Sequence, residues 1–131
     1  MIRNTEKFKL GLDIHGVIDS HPSTFSQLSN NVVSKGGEVH VITGAPITEA
    51  LVNKLEMEFK INYTHLFSIV DFHKEKGTKV WYDDKNTPWM DSLVWDKTKG
   101  DYCLEHEIDL HIDDTKRYSR YFITPFLLYK N

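Results

Sequence analysis

Apolar and polar positions along this chain repeat in two rhythms, and the switches between them mark out its elements. Phe8-Lys9-Leu10-Gly11-Leu12 alternates, turns apolar, and gives way after Asp13-Ile14 to His15-Gly16, a pair suited to a sharp exit from a strand. A helix from about Ser23 to Lys35 follows, stopped by Gly36-Gly37. Glu38-Val39-His40-Val41-Ile42 has the period of a second strand and ends in Thr43-Gly44-Ala45-Pro46. Pro46 suits the first turn of a helix running to about Lys60, with Ile47, Ala50, Leu51, Leu55 and Phe59 on one stripe. Tyr63 to Ile69 reads as a third strand. Between Val70 and Pro88 the pattern breaks into charges, aromatics and turn formers, an irregular stretch of the length usually kept for function or mobility. A helix from about Trp89 to His106, a fourth strand from Asp109 to Asp114 and a fifth at Tyr121-Phe122-Ile123, broken by Pro125, complete the reading. Strands alternating with helices predict an α/β fold: a mainly parallel sheet of about five strands with helices on both faces.

Length and charge narrow the classes of function. At 131 residues the chain has room for one domain, 1–131, and no second one. A net charge of −3 and a pI near 6.1 leave no electrostatic footprint for nucleic acid or an anionic membrane. The start, Met1 to Lys7, has no long apolar region behind it, and no run approaches the roughly 18–20 residues that span a bilayer. The expected location is therefore cytoplasmic, without a membrane partner. The single cysteine, Cys103, excludes an internal disulfide, cannot alone build a thiolate metal site, and reads as core packing.

Three of these strands end in polar groups of complementary type: Asp13, Thr43-Gly44 and Asp113-Asp114. In a parallel sheet the carboxyl ends share one edge, where ligands bind, so distant segments converge there. Gathered carboxylates form a hard-oxygen site suited to Mg²⁺, and the Thr43 hydroxyl with the amides of Gly44 and Ala45, near a helix N-terminus, suits a phosphate.

From Leu10 to about Phe122 the chain resembles the haloacid dehalogenase superfamily, as a minimal, capless-type member. Asp13-Ile14-His15-Gly16-Val17-Ile18 is similar to its first motif, Val41-Ile42-Thr43-Gly44 to the second, and Ile112-Asp113-Asp114 to the acidic fourth. A lysine opening the preceding helix would be the third. The resemblance implies a three-layer Rossmann-like fold, with residues 70–88 as a small insert in the cap position. It also implies an Mg²⁺-dependent phosphomonoester hydrolase in which Asp13 attacks phosphorus and forms an aspartyl-phosphate. Asp13, Asp113 and the backbone carbonyl of His15 would bind the metal, with Asp114 direct or through water. Thr43, Gly44 and a lysine would bind the phosphate; Lys99, fourteen residues before Asp113 and opening the run Gly100 to His106, is the first choice and Lys97 the second. Metal and cation screen the repulsion between an anionic nucleophile and an anionic substrate.

His15 departs from the motif, because hydrolytic members usually carry a second aspartate there. An imidazole can protonate a leaving group and activate water near neutral pH. It can also be trapped as a charged partner of Asp13, giving a binding module that has lost turnover. A receiver-like signalling domain is a third reading, ranked low because its acids usually precede the phosphorylated aspartate. Asp19 and His21 fall in the loop after the first motif and read first as turn and capping residues. His40 and His111 read as packed or edge histidines, and His65, His73 and His106 lack ligand spacing with partners. Trp81, Trp89 and Trp95 read as an aromatic lid or as its packing. The implied substrate is a phosphorylated small molecule or the phosphorylated end of a larger one, at an open site that a homo-oligomer would close.

Overall fold

A computed structural model of the chain describes residues 7–130, so the reading of Met1 to Glu6 lies outside the described residues. Strand β1 (Lys9–Leu12) leads through a sharp turn at Ile14–Ile18 to helix α1 (Pro22–Ser34) and strand β2 (Glu38–Thr43). Helix α2 begins at Glu49 rather than Pro46. Thr48 takes the N-cap, its Oγ1 accepting from the Leu51 amide at 3.1 Å. The Ile47 amide meanwhile donates to Asp71 Oδ2 at 2.8 Å, so the residues before Thr48 are tied outside the helix. Helix α2 (Glu49–Asn53) then widens into a π-type turn, Lys54–Glu58, before β3 (His65–Ser68).

The stretch expected to be irregular from Val70 to Pro88 contains a helix, α3 (Ile69–Lys76). Ser68 Oγ accepts from the Asp71 amide at its start, and Gly77 ends it at φ 88°. What remains of the insert is a two-stranded hairpin of β4 (Trp81–Tyr82) and β5 (Pro88–Trp89). Helix α4 (Ser92–Glu105) starts three residues later than expected because Asp91 Oδ1 caps the amides of Leu93 and Val94. Strand β6 (Leu110–Asp113) follows. The expected strand at Tyr121-Phe122-Ile123 is not formed; Lys116–Tyr121 winds as a 3₁₀ turn, and β7 is Phe126–Leu128. Pro125 lies just before β7, where its missing N–H costs no ladder bond and its carbonyl accepts from the His111 amide at 3.0 Å.

The five longer strands form one all-parallel sheet in the order β3-β2-β1-β6-β7. The chain builds outward from β1 through β2 to β3, then crosses to the other side of β1 for β6 and β7. The end of β1 is thus a topological switch point, where diverging connections leave a crevice. Strand parity sorts the core. Leu10, Leu12, Val39, Val41 and Ile112 bury with Phe25 of α1 and Leu55 beyond α2, while Ile42, of opposite parity, packs with Cys103 of α4 and Ile108. Cys103 is buried, and burial pushes its thiol up to about 12. Among the described residues no helix is long and apolar enough to cross a membrane.

Candidate functional site

Asp13 sits at the switch point because β1 pairs with β6 in the register Leu12↔Ile112, so the next residues are the two acids Asp13 and Asp113. The Asp13 amide donates to the Ile112 carbonyl at 3.1 Å. Lys99 reaches them from the middle of α4, not from its opening turn as the sequence suggested. Its ammonium, on a side chain 3% exposed, donates to Asp13 Oδ1 at 3.0 Å and to Asp113 Oδ2 at 2.8 Å. Lys97, two positions away on the helix, instead lines a separate cavity with Phe67, Phe72 and Tyr102.

Asp113 is the better served of the two acids. The imidazole of His111 donates from Nε2 to the same Oδ2 at 2.9 Å, and the Thr115 amide donates to Oδ1 at 3.0 Å. Burial alone would raise the Asp113 carboxyl, yet the His111 hydrogen bond and the Lys99 charge hold it below the usual carboxylate range. Asp13 is raised to about 7: burial pushes it up, Lys99 pulls it down, and the nearby charge of Asp113 pushes it up again. Burial also opposes the Lys99 ammonium, but the two carboxylates outweigh it and hold its affinity for the proton above the lysine norm.

Asp114 completes an acidic group whose donor atoms, with those of Asp13 and Asp113, all lie within 4.8 Å of one another. It packs against the backbone at Gly16, where a Cβ would fall 1.9 Å from Asp114 Oδ2 and where φ is 82°. That contact and that conformation both require glycine. His15 lines a cavity with Asp13, Lys99 and Asp114 but bonds to Asp19. Its side chain is 70% exposed and its Nδ1 lies 3.3 Å from Asp19 Oδ2, while Asp19 Oδ1 accepts from the Gly16 amide at 2.8 Å. Asp19 therefore steadies the turn and the imidazole together, and His21 pairs with the Tyr129 hydroxyl.

Asp13, His15, Gly44, Lys99, Asp114 and Tyr118 share a cavity of about 440 Å³ with the hairpin residues Thr87 and Pro88. Thr43 is buried behind its wall, its Oγ1 accepting from the Ala45 amide at 3.2 Å, so Gly44 and Ala45 are the residues that face the cavity. These amides stand in a loop ahead of α2 rather than at its N-terminus, because the helix starts later than the sequence suggested. The chain matches no family model, no curated protein and no solved structure.

Two parts of this arrangement were missed in the sequence. His111 was read as a packed histidine, although the spacing His111-x-Asp113 puts both side chains on one face of a strand and was a usable signal. Trp95 was read only as lid or packing, yet it covers Gly44 closely enough that a Cβ there would meet the indole at 2.6 Å, and its Nε1 donates to the Tyr118 hydroxyl at 2.8 Å. No local spacing announces that contact. A second cavity of about 500 Å³, lined by Trp89, Met90 and Arg117, shares Thr87, Pro88, Trp95 and Tyr118 with the first.

Proposed function

We propose that the chain is a phosphomonoester hydrolase of the haloacid dehalogenase type, with a three-layer Rossmann-like fold, working through an aspartyl-phosphate on Asp13. The observation that carries this reading is the buried Lys99 ammonium bridging Asp13 and Asp113 at a cavity on the switch-point edge. A buried cation held by two acids is costly to keep and is common where charge must be handled.

The donor set fits Mg²⁺. Asp13, Asp113 and Asp114 offer hard carboxylate oxygens to one point, and one ammonium against three acids leaves the ionised cluster short of positive charge. Together with the His15 carbonyl these residues would hold the ion, which when bound would neutralise phosphoryl oxygens and so let an anion approach an anion. Lys99 occupies Asp13 Oδ1, which leaves Oδ2 to attack phosphorus as the ester P–O bond breaks. The departing oxygen takes a proton from His15, which then accepts one from the water that attacks phosphorus; the bond from phosphorus to Asp13 breaks, inorganic phosphate leaves and the Asp13 carboxylate is restored. Gly44 and Ala45 line the phosphate end, and the cavity bounded by Trp89, Trp95 and Arg117 receives the organic part of the substrate.

One observation favours a second reading, a metal- and phosphate-binding module without turnover. The His15 side chain, at the rim of the cavity, is 70% exposed and paired with Asp19 rather than with Asp13, so acid/base work needs it to leave that partner. Hydrolysis of a generic aryl phosphate in Mg²⁺ and in EDTA separates the two, with Asp13→Asn and His15→Ala alongside. Metal-dependent turnover abolished by Asp13→Asn and reduced roughly 10²-fold by His15→Ala supports the hydrolase. Mg²⁺ binding with no turnover on aryl phosphates, sugar phosphates or nucleotides overturns it in favour of the module.

A further inference from the structure

Away from the acids, on the same face of the sheet, a second polar group is assembled that the proposed hydrolysis does not use. The register His40↔His65 sets two imidazoles side by side across β2 and β3, stacked with centroids 4.0 Å apart and planes 5° apart. Glu38 shares the His40 face of β2, two residues back, and its Oε1 lies 2.8 Å from His40 Nε2. One donor atom from each of Glu38, His40 and His65 lies within 4.8 Å of the others. The sequence showed no ligand spacing here because the third residue comes from a neighbouring strand.

We propose that Glu38, His40 and His65 form a binding site for a borderline transition-metal dication, Zn²⁺ by the chemistry of its donors, which ties the edge strand β3 to β2. Two imidazoles and one carboxylate suit Zn²⁺, whereas Mg²⁺ prefers oxygen alone. Zn–N bonds of about 2.0–2.1 Å place tetrahedral donors about 3.3 Å apart, and two parallel rings cannot aim their lone pairs at one ion, so binding turns His65 out of its stack on His40 while Glu38 rotates; these are the two members that are not buried.

The proton arrangement prepares the donors. Thr64 Oγ1 donates to the Val39 carbonyl at 3.1 Å and accepts from the Val39 amide at 3.0 Å, so its remaining lone pair takes the Nδ1 proton of His65 at 2.9 Å. That tautomer leaves His65 Nε2 a bare lone pair. His40, 1% exposed, has Nδ1 2.6 Å from the Tyr102 hydroxyl and Nε2 directed to Glu38. An ion bound at Nε2 selects the tautomer with its proton on Nδ1, where the Tyr102 oxygen accepts it, the usual outer support of a ligating imidazole. The His106 ring, stacked on Tyr102 at 4.1 Å, has its centroid 5.9 Å from that of His40 and stands outside the three converging donors.

The inference does not depend on the reading of the acid site. Its test uses the full chain carrying Asp13→Asn, in millimolar Mg²⁺, titrated with Co²⁺ alone and followed by visible absorption, with Zn²⁺ as competitor and thermal unfolding as a second readout. The expected result is one Co²⁺ per chain with the intense bands of a four- or five-coordinate site, displaced by Zn²⁺. A Zn²⁺-dependent rise in Tm should accompany it. His65→Ala and Glu38→Gln, both outside the core, should each weaken binding roughly tenfold or more and remove the Tm rise. Absence of tight Co²⁺ binding overturns the proposal, and so does binding that His65→Ala leaves unchanged.

Discussion

Replacing Asp13 by asparagine should stabilise the metal-free protein at alkaline pH, and the size of the gain tests the electrostatics of the acid cluster directly. Asp13 is raised to about 7 from an ordinary 3.8, first by burial and then by Asp113, against the pull of Lys99. A group whose proton affinity is higher folded than unfolded contributes its stability fully below the unfolded value and loses it as pH rises through the folded one. The wild type therefore loses stability between about pH 4 and pH 7, whereas asparagine, which cannot ionise, does not. At about 1.4 kcal/mol per tenfold of proton affinity the difference at pH 8 is on the order of 2–4 kcal/mol. The lower end is favoured, because asparagine retains an acceptor for the Lys99 ammonium but not the ionic attraction. For a chain of this size that is about 10 °C in Tm. The assay is thermal unfolding of both proteins in EDTA from pH 5 to pH 8.5. Asp13→Asn should melt higher at pH 8 and converge with the wild type toward pH 5; under the proposed function it should also lose its advantage in Mg²⁺, because an ion held by the wild-type cluster would stabilise the wild type alone. An Asp13→Asn protein no more stable than the wild type at pH 8 in EDTA would refute the claim that Asp13 is held in its ionised form at a cost.

Three further substitutions probe the neighbours of Asp13. Lys99→Met leaves Asp13 and Asp113 buried without their shared cation and should cost about 3–5 kcal/mol in urea unfolding at pH 8, less at pH 6, where Asp13 takes a proton; a loss below about 1 kcal/mol would mean that the bridge is dispensable. His111→Phe keeps an aromatic ring in the stack on Phe122, now 5.2 Å between centroids, but removes the donor to Asp113. It should cost about 1–3 kcal/mol and weaken Mg²⁺ binding, whereas unchanged stability would show that Asp113 does not need that hydrogen bond. Gly44→Ala forces the Trp95 indole aside, since the new Cβ would meet it at 2.6 Å. A shifted tryptophan emission and reduced turnover are expected, and an unaltered spectrum with full activity would refute the contact.

The parts of the fold legible in the sequence were those with strong periodicity: β1, β2, β6 and α1 lie within a residue or two of where the alternation and the helix signals put them. The misreadings share a cause. The sequence reading started helices at Pro46 and at about Trp89 and took Val70 to Pro88 as charges, aromatics and turn formers, whereas Thr48, Asp91 and Ser68 cap the helices that form and Gly77 ends α3. In each case a side-chain oxygen bonded to a backbone amide set the boundary, and such caps outweigh an apolar stripe in a helix as short as α3. At the candidate site, the acids could be read because each ends a strand. The placement of Lys99 mid-helix and the closure of Trp95 over Gly44 depend on how α4 lies across the sheet, which no local spacing encodes.

That helix also accounts for the asymmetry of the sheet. On one face, Leu10, Leu12, Val39 and Val41 are apolar and α1 and α2 cover them with apolar side chains, as the strand pattern requires. On the other, Gly11, Asp13, Glu38, His40, His111 and Asp113 occupy the alternate positions of the three central strands, so a purely apolar helix there would strand buried polar groups. Helix α4 answers them individually: Lys99 meets Asp13 and Asp113, Tyr102 meets His40, and only Cys103 and its neighbours form a small apolar patch between. Gly11 is the position that lets this face close, because a Cβ there would press on His111 Nδ1 at 2.7 Å. A sheet face built this way gives up hydrophobic stabilisation along much of its width. The retained polar groups therefore argue that α4 is placed by chemistry as much as by packing.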